Sequence, residues 1–169
     1  RFVRQLGMRA PLTFETFRDF TETRSAGVVA NIVICLVHQA NFQQNFPFHL
    51  IHGSNTGREM LWVVSAFSQA IARNTHLVMD SNGFANAGPM TEMVFRETAA
   101  HAMVSTVSGW HLWEMASARN KYRNRATPLE ARLGVEAGHA IARQGMSRAQ
   151  VNEIANRLLA TYEEQAADA

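Results

Sequence analysis

The sequence predicts an α/β fold built on parallel strands, and two observations carry that expectation. Short apolar stretches alternate with longer ones whose apolar residues recur at three and four, which is the pattern of successive β-α units. The stretch from Pro47 to Glu59 shows the joint itself: an apolar strand stops at Gly53, Thr56 stands as a helix N-cap, and Glu59 follows as its capping-box partner. Joints of this kind build sites at the carboxyl ends of parallel strands.

Taken in order, Phe2 to Leu6 alternates like a strand, Gly7 to Leu12 reads as a loop closed by Pro11, and Thr13 to Thr23 as a short helix. Phe14, Phe17 and Phe20 fall on one side of that helix and read as packing residues. From Ser25 to about Gln43 the pattern is helical and strongly apolar, with Val28, Val29, Ile32, Val33, Leu36 and Val37 in the stripe. Such a helix needs cover from its neighbours. Asn45-Phe46-Pro47 then turns the chain into a strand Phe48 to His52, and a helix Arg58 to Ala72 presents Met60, Val63, Val64, Phe67 and Ile71 inward.

Strand His76 to Asp80 follows, then a loop Ser81 to Met90 rich in Asn and Gly. Thr91 caps a helix through Val107, and Trp110 to Glu114 is the next strand. Met115 to Ala126 is a basic connection carrying Arg119, Lys121, Arg123 and Arg125, a solvated loop or a docking surface for an acidic partner. Thr127-Pro128-Leu129-Glu130 supplies an N-cap, a proline at the first helical position and a capping-box carboxylate. That helix runs to Gln144 and stops at Gly145; Ser147 with Gln150 caps a last helix whose buried face is Val151, Ile154, Leu158 and Tyr162.

A chain of 169 residues, 47% of them hydrophobic, can bury a sizeable core and suits a single domain over residues 1–169. A net charge of +2 is too small to argue for nucleic acid, and no apolar run or leader pattern points to a membrane or to export. The lone Cys35 excludes an internal disulfide and fits the reducing cytoplasm. Because the first residue is Arg1, the numbering is expected to begin inside a longer protein.

No GxGxxG follows any strand, so a dinucleotide fold lacks its signature. About three β-α units are too few to close an eight-stranded barrel, which leaves an open sheet or the last part of a barrel. The strand ends His52, Asp80 to Asn82 and Glu114 would converge on one rim, where a His, an Asp and a Glu could act as acid, base or metal ligands. No HExxH or clustered His supports a metal there. His38, His76, His101 and His139 read as structural, whereas His49 suits an interior or a pocket position equally.

Pro47-x-His49, Gly53-Ser54, Arg58-Glu59, Ala87-Gly88-Pro89-x-Thr91-Glu92-Met93, Ala116-Ser117-Ala118 and Glu130-Ala131-Arg132 occur in an order and spacing that resembles the C-terminal part of the monomethylamine:corrinoid methyltransferase family. The resemblance spans roughly residues 25 to 164. It implies the C-terminal part of a TIM-type (β/α)8 barrel, with about three β-α units plus an extra C-terminal helix. It further implies methyl transfer from a small methylated amine to a corrinoid (cobalamin) carried by a cognate corrinoid protein, not bound by this chain alone, in one-carbon metabolism of the methanogenic kind. A homo-oligomer is expected.

On the same grounds His52, Asp80, Asn82, Phe84 and Glu114 are the expected substrate pocket, and Ser54, Asn55, Thr56, Arg58 and Gly88 the residues facing the corrinoid partner. The family's pyrrolysine is expected upstream of Arg1, so the chain by itself should not transfer methyl groups. Departures are plain: Asn82 and Phe84 stand where the family has Gln and Tyr, and His52 and Glu114 where it has Trp and Gly. Two other readings stay open, a non-catalytic barrel fragment or docking homologue and a metal-dependent hydrolase using His52, Asp80 and Glu114. The strands starting at Pro47, His76 and Trp110 should be parallel neighbours, and Asn82 should lie within reach of His52 and Glu114.

Overall fold

A computed structural model describes residues 5–8, 11–12, 20–38, 42–45, 47–49, 52–120 and 124–168. The elements are β1 (Gln5–Met8), β2 (Pro11–Leu12), α1 (Phe20–His38), β3 (Phe42–Asn45), β4 (Phe48–His49), α2 (Arg58–Asn74), β5 (Val78–Phe84), α3 (Glu92–Ser108), β6 (Leu112–Ala116), a 3-10 turn Ala118–Asn120, α4 (Pro128–Gln144) and α5 (Arg148–Asp168). Phe2, Phe14, Phe17, Lys121 and Arg123 lie outside the described residues.

The main sheet has the order β1-β3-β5-β6, every neighbouring pair parallel. Strand order follows chain order, so crossovers of one hand lay the connecting helices on one face. A second pair, β2 with β4, is also parallel. Gln5 stands opposite Phe42 and Pro11 opposite Phe48, the same offset, so the short pair continues the β1–β3 ladder beyond a break.

This corrects the expected strand boundaries. Gly7 and Met8 belong to β1 and Pro11–Leu12 to β2, not to a loop. The helix expected from Ser25 to Gln43 is Phe20–His38, and the sheet strand of that region is Phe42–Asn45, with Phe48–His49 as its continuation. Phe-Gln-Gln-Asn has no apolar alternation; it becomes a strand because ladders form on both its sides, a tertiary effect. The trio expected from Pro47, His76 and Trp110 is parallel throughout, but its first member is β3.

β5 runs past Asp80 to Phe84, so Ser81-Asn82-Gly83 is strand and not turn. Gly83 is there for space. A Cβ at this position would sit 2.8 Å from Met115 Sδ and 3.2 Å from His101 Nδ1.

Helix ends follow local chemistry closely. Thr91 Oγ1 accepts from the Val94 amide at 3.2 Å, and Gly109, at φ 106, ends α3. Thr127 and Glu130 form the reciprocal capping box of α4, and Ser147 with Gln150 does the same before α5. Thr127→Ala is expected to remove about 1 kcal/mol of stability, as loss of an N-cap does. Urea unfolding checks this, and a loss within experimental scatter would mean that Pro128 and Glu130 hold the helix start unaided. α2 is the exception: its N-cap is Gly57 with no side-chain cap bond, not Thr56.

Two apolar clusters hold the layers together. Cys35, Val64, Phe67, Ile71, Met79 and Trp110 bury α1 and α2 against β5. Leu61, Ala100, Met103, Val104, Ile141, Val151, Ala155, Leu159 and Tyr162 join α2, α3, α4 and α5, with Ile154 and Leu158 packed at the edge. α1 departs from expectation. Its buried positions are Gly27, Asn31 and Cys35, while Val29, Val33, Leu36 and Val37 form an apolar stripe exposed by 47% or more. No helix among the described residues is long and apolar enough to cross a membrane.

Candidate active site

Met79 lies in the helix-side core, so alternation along β5 turns Asp80, Asn82 and Phe84 to the opposite face of the sheet. On β6 Trp113 faces the helices, its Nε1 donating to His101 Nδ1 at 2.9 Å, which turns Glu114 to the same face as Asn82. The two are register partners, and Asn82 Nδ2 donates to Glu114 Oε2 over a long 3.4 Å. Asp80 and Phe84 are buried and Glu114 is exposed. The oxygen of Asn82, Oδ1, is buried without a donor. Asp80, Asn82, Phe84 and Glu114 thus share one face of the sheet, Asp80 in mid-strand and the other three toward its carboxyl end.

His52 does not join them through any bond described. It sits in a tight turn in which His49 N donates to Ser54 O at 2.8 Å and Gly53 N to His49 O at 2.7 Å. Its own amide donates to His49 Nδ1 at 3.2 Å, and the two imidazoles lie 4.2 Å apart. Burial, with a smaller contribution from the His52 charge, pushes the His49 pKa down to about 4, so His49 is neutral and an acceptor at Nδ1. Among the described residues no group of three His, Cys, Asp or Glu side chains could hold a metal ion. The metal-ligand reading of His52, Asp80 and Glu114 is corrected accordingly, since these three side chains form no such group.

The residues expected to face a partner are mostly turned inward. Ser54, Asn55 and Thr56 are buried, leaving Arg58 as the exposed side chain of the group, and it bonds Glu163 at 2.9 Å and Asn156 at 2.6 Å on α5. Gly88 is half-buried beside open space. Asn55 grips β5: its Nδ2 donates to Asn82 O at 2.8 Å, its Oδ1 accepts from Phe84 N at 2.6 Å, and its amide donates to Phe84 O at 3.0 Å. The Thr56 hydroxyl, read in the sequence as a cap, donates instead to Glu97 of α3.

Two buried carboxylates frame the connection after β5. Glu97 accepts from Thr56, from Asn86 N at 2.7 Å and from Ala87 N at 3.0 Å; burial raises its pKa, and these donors offset part of the rise. Glu130 accepts from Met90 N at 2.7 Å and from Thr127; burial pushes its carboxyl up, but the hydrogen bonds outweigh this and leave it lowered. The connection after β6 leans on the same residues: Ala118 N donates to Ala87 O, Arg119 N to Ala85 O and Arg119 Nε to Asn86 Oδ1. Met90, Ala118, Arg119 and Asn124 all have positive φ, so the left-handed non-glycine residues among those described sit in these two connections. Backbone held in that region by surrounding bonds is pre-organised.

Away from this rim, a cavity of about 400 Å³ lies between α2, α3 and α5, lined by residues including Leu61, Trp62, Val104 and Arg148. It holds no residue of the strand-end group.

The family profile of monomethylamine methyltransferase MtmB matches residues 10–169. The chain belongs to the MtmB family. Monomethylamine methyltransferase MtmB2 of Methanosarcina barkeri is 31% identical over 149 residues, 88% of this chain and 32% of that protein. MtmB of Methanosarcina mazei is 30% identical over the same shares. The crystal structure of Methanosarcina barkeri MtmB superposes with a TM-score of 0.80 at 29% identity, covering 89% of this chain and 33% of that one, and a crystal structure of a hydroxylamine MtmB complex does equally. The chain therefore spans about a third of the length of the MtmB proteins it matches.

Sequence reasoning missed Glu97 and the grip of Asn55. A signal for Glu97 existed: with Val94 and His101 it falls on the inward stripe of α3, and all three are fully buried. A carboxylate in a buried stripe needs donors. For Asn55 no local pattern could reveal partners 27 and 29 residues away.

Proposed function

We propose that this chain forms part of a (β/α)8 barrel that takes a methylated amine of the monomethylamine class at the carboxyl-end rim and transfers its methyl group to a corrinoid carried by a separate protein. The family match over residues 10–169 carries this reading. The rim geometry supports it. A protonated methylamine brings N–H donors and one positive charge, and the Asn82 oxygen and the Glu114 carboxylate offer acceptors of the right sign on the same face. The corrinoid cobalt, when its carrier docks, supplies the nucleophile that accepts the methyl group. Breaking the C–N bond leaves that electron pair on nitrogen, so a protonated amine departs as neutral ammonia, and Asn82 and Glu114 hold its N–H groups while it leaves. The apolar stripe on α1 fits a fold in which a further unit covers that helix.

The test is transfer from methylamine to a reduced corrinoid protein, catalysed by the complete barrel and followed by cobalt absorbance. Asn82→Ala is expected to lower turnover at least tenfold, about 1.4 kcal/mol in the barrier, with the melting temperature unchanged. Unchanged turnover per folded molecule would remove Asn82 from the site.

A further inference from the structure

We infer that Glu97 is a positioning residue for the rim: without reaching the site face, its carboxylate fixes Asn82 and Phe84 by clamping the chain on both sides of them. This rests on the methyl-transfer reading for its meaning, but its geometry is independent of substrate.

Glu97 has no exposed surface, and no cation pairs with it among the described salt bridges. Four donors converge on its two oxygens instead. Thr56 Oγ1, Asn86 N and Asn86 Nδ2 reach Oε2, and Ala87 N reaches Oε1. These donors come from two separate connections, the turn before α2 and the loop after β5. Each lies within three residues of Phe84 or next to Asn55, which bonds the strand. Thr56 follows Asn55, whose side chain and amide hold the backbone of Asn82 and Phe84. Asn86 and Ala87 follow Phe84 and Ala85 directly. The turn is backed from behind, where Tyr162 Oη donates to Thr56 O at 2.7 Å.

A carboxylate suits this position because it only accepts, and every group it meets here donates. An amide would present an N–H₂ to one of those donors and leave two buried donors opposed. Bonds to a charged acceptor are also the stronger kind. Among the described residues, Glu97 therefore joins two connections whose other direct bonds to each other run through Asn55.

Glu97→Gln tests this by nuclear magnetic resonance and amide exchange on the whole chain without substrate. Exchange at Asn86 and Ala87 is expected to rise at least tenfold, while amides of α4 and α5 stay within threefold of the parent. The side-chain amide signal of Asn82 should also move, although Glu97 does not touch it. Uniform acceleration of all amides, or an Asn82 signal left in place, overturns the proposal, since either describes a residue that only stabilises the fold. Should Glu97→Gln not fold, Thr56→Val decides: it removes the donor in one connection, and exchange at Asn86 and Ala87 in the other should rise at least threefold, with Thr56→Ser restoring the parent rates. No rise across that gap overturns it equally. Because exchange is read without methylamine, the result does not depend on whether the substrate is the proposed one.

Discussion

Replacing Gly134 by alanine is expected to lower the melting temperature by roughly 10 °C, the effect of about 3 kcal/mol in a chain of this size. A Cβ at Gly134 would lie 1.9 Å from one carbon of the Trp113 ring and 2.3 Å from the next, far inside contact distance. Neither side can easily give way. Trp113 is held on β6 by its bond to His101, and Gly138, one turn further along α4, is also closely approached, with Thr106 Oγ1 at 2.8 Å from its notional Cβ. The two glycines let α4 lie directly on Trp113 and α3. Gly88→Ala is the control, with nothing within 4 Å, and should change stability by less than about 0.5 kcal/mol. In a Trp113→Leu background the Gly134→Ala penalty should largely vanish. A penalty that persists there would place its origin in the backbone of α4 and not in the ring.

Acidification to pH 5 is expected to remove about 2 kcal/mol of stability through His101 alone. The ring is fully buried, and burial pushes its pKa down from 6.5 to about 3. Its Nδ1 accepts from Trp113, so the single ring proton sits on Nε2, and the folded protein has no place for a second. The sign follows from linkage. The unfolded chain takes up a proton near pH 6.5 and the folded chain does not, so this stability is present above pH 6.5 and is lost as pH falls toward 3. His49, lowered to about 4, acts in the same direction. Glu97 acts oppositely: its raised pKa contributes stability that is full below 4.5 and lost as pH rises through the folded value. His101→Gln keeps an acceptor for the indole and does not titrate. The slope of unfolding free energy against pH between 5 and 7 should flatten in this variant, and an unchanged slope would assign the acid sensitivity elsewhere.

What the letters revealed divides by the range of the interactions involved. The starts of α3, α4 and α5 were legible because Thr91, Thr127 with Glu130, and Ser147 with Gln150 satisfy donors within three residues. The joint placement of Asn82 and Glu114 was legible too, since strand ends of a parallel sheet must meet on one rim. Strand limits were not. Asn82-Gly83 has turn letters, yet Gly83 answers to Met115 and His101 across the sheet, and β3 owes its conformation to β1 and β5. Thr56-x-x-Glu59 has the spacing of a capping box, but its hydroxyl goes to a residue 41 positions away. The strand expected to end at His52 is Phe48–His49, and His52 lies in the turn closed by the His49–Ser54 bridge.

The contact between Tyr162 and the carbonyl of Thr56 joins residues 106 positions apart, and Arg58 meets Glu163 across 105. Chain growth is directional, so the turn that carries Asn55 and Thr56 emerges long before the helix that backs it. Until α5 has been synthesised, Thr56 O lacks its donor and Arg58 its carboxylate, and closing so long a loop is slow compared with local helix formation. The turn behind the rim is thus expected to reach its final shape only once α5 is in place, and a nick or truncation in the last helix should be felt at this turn in the first half of the sequence.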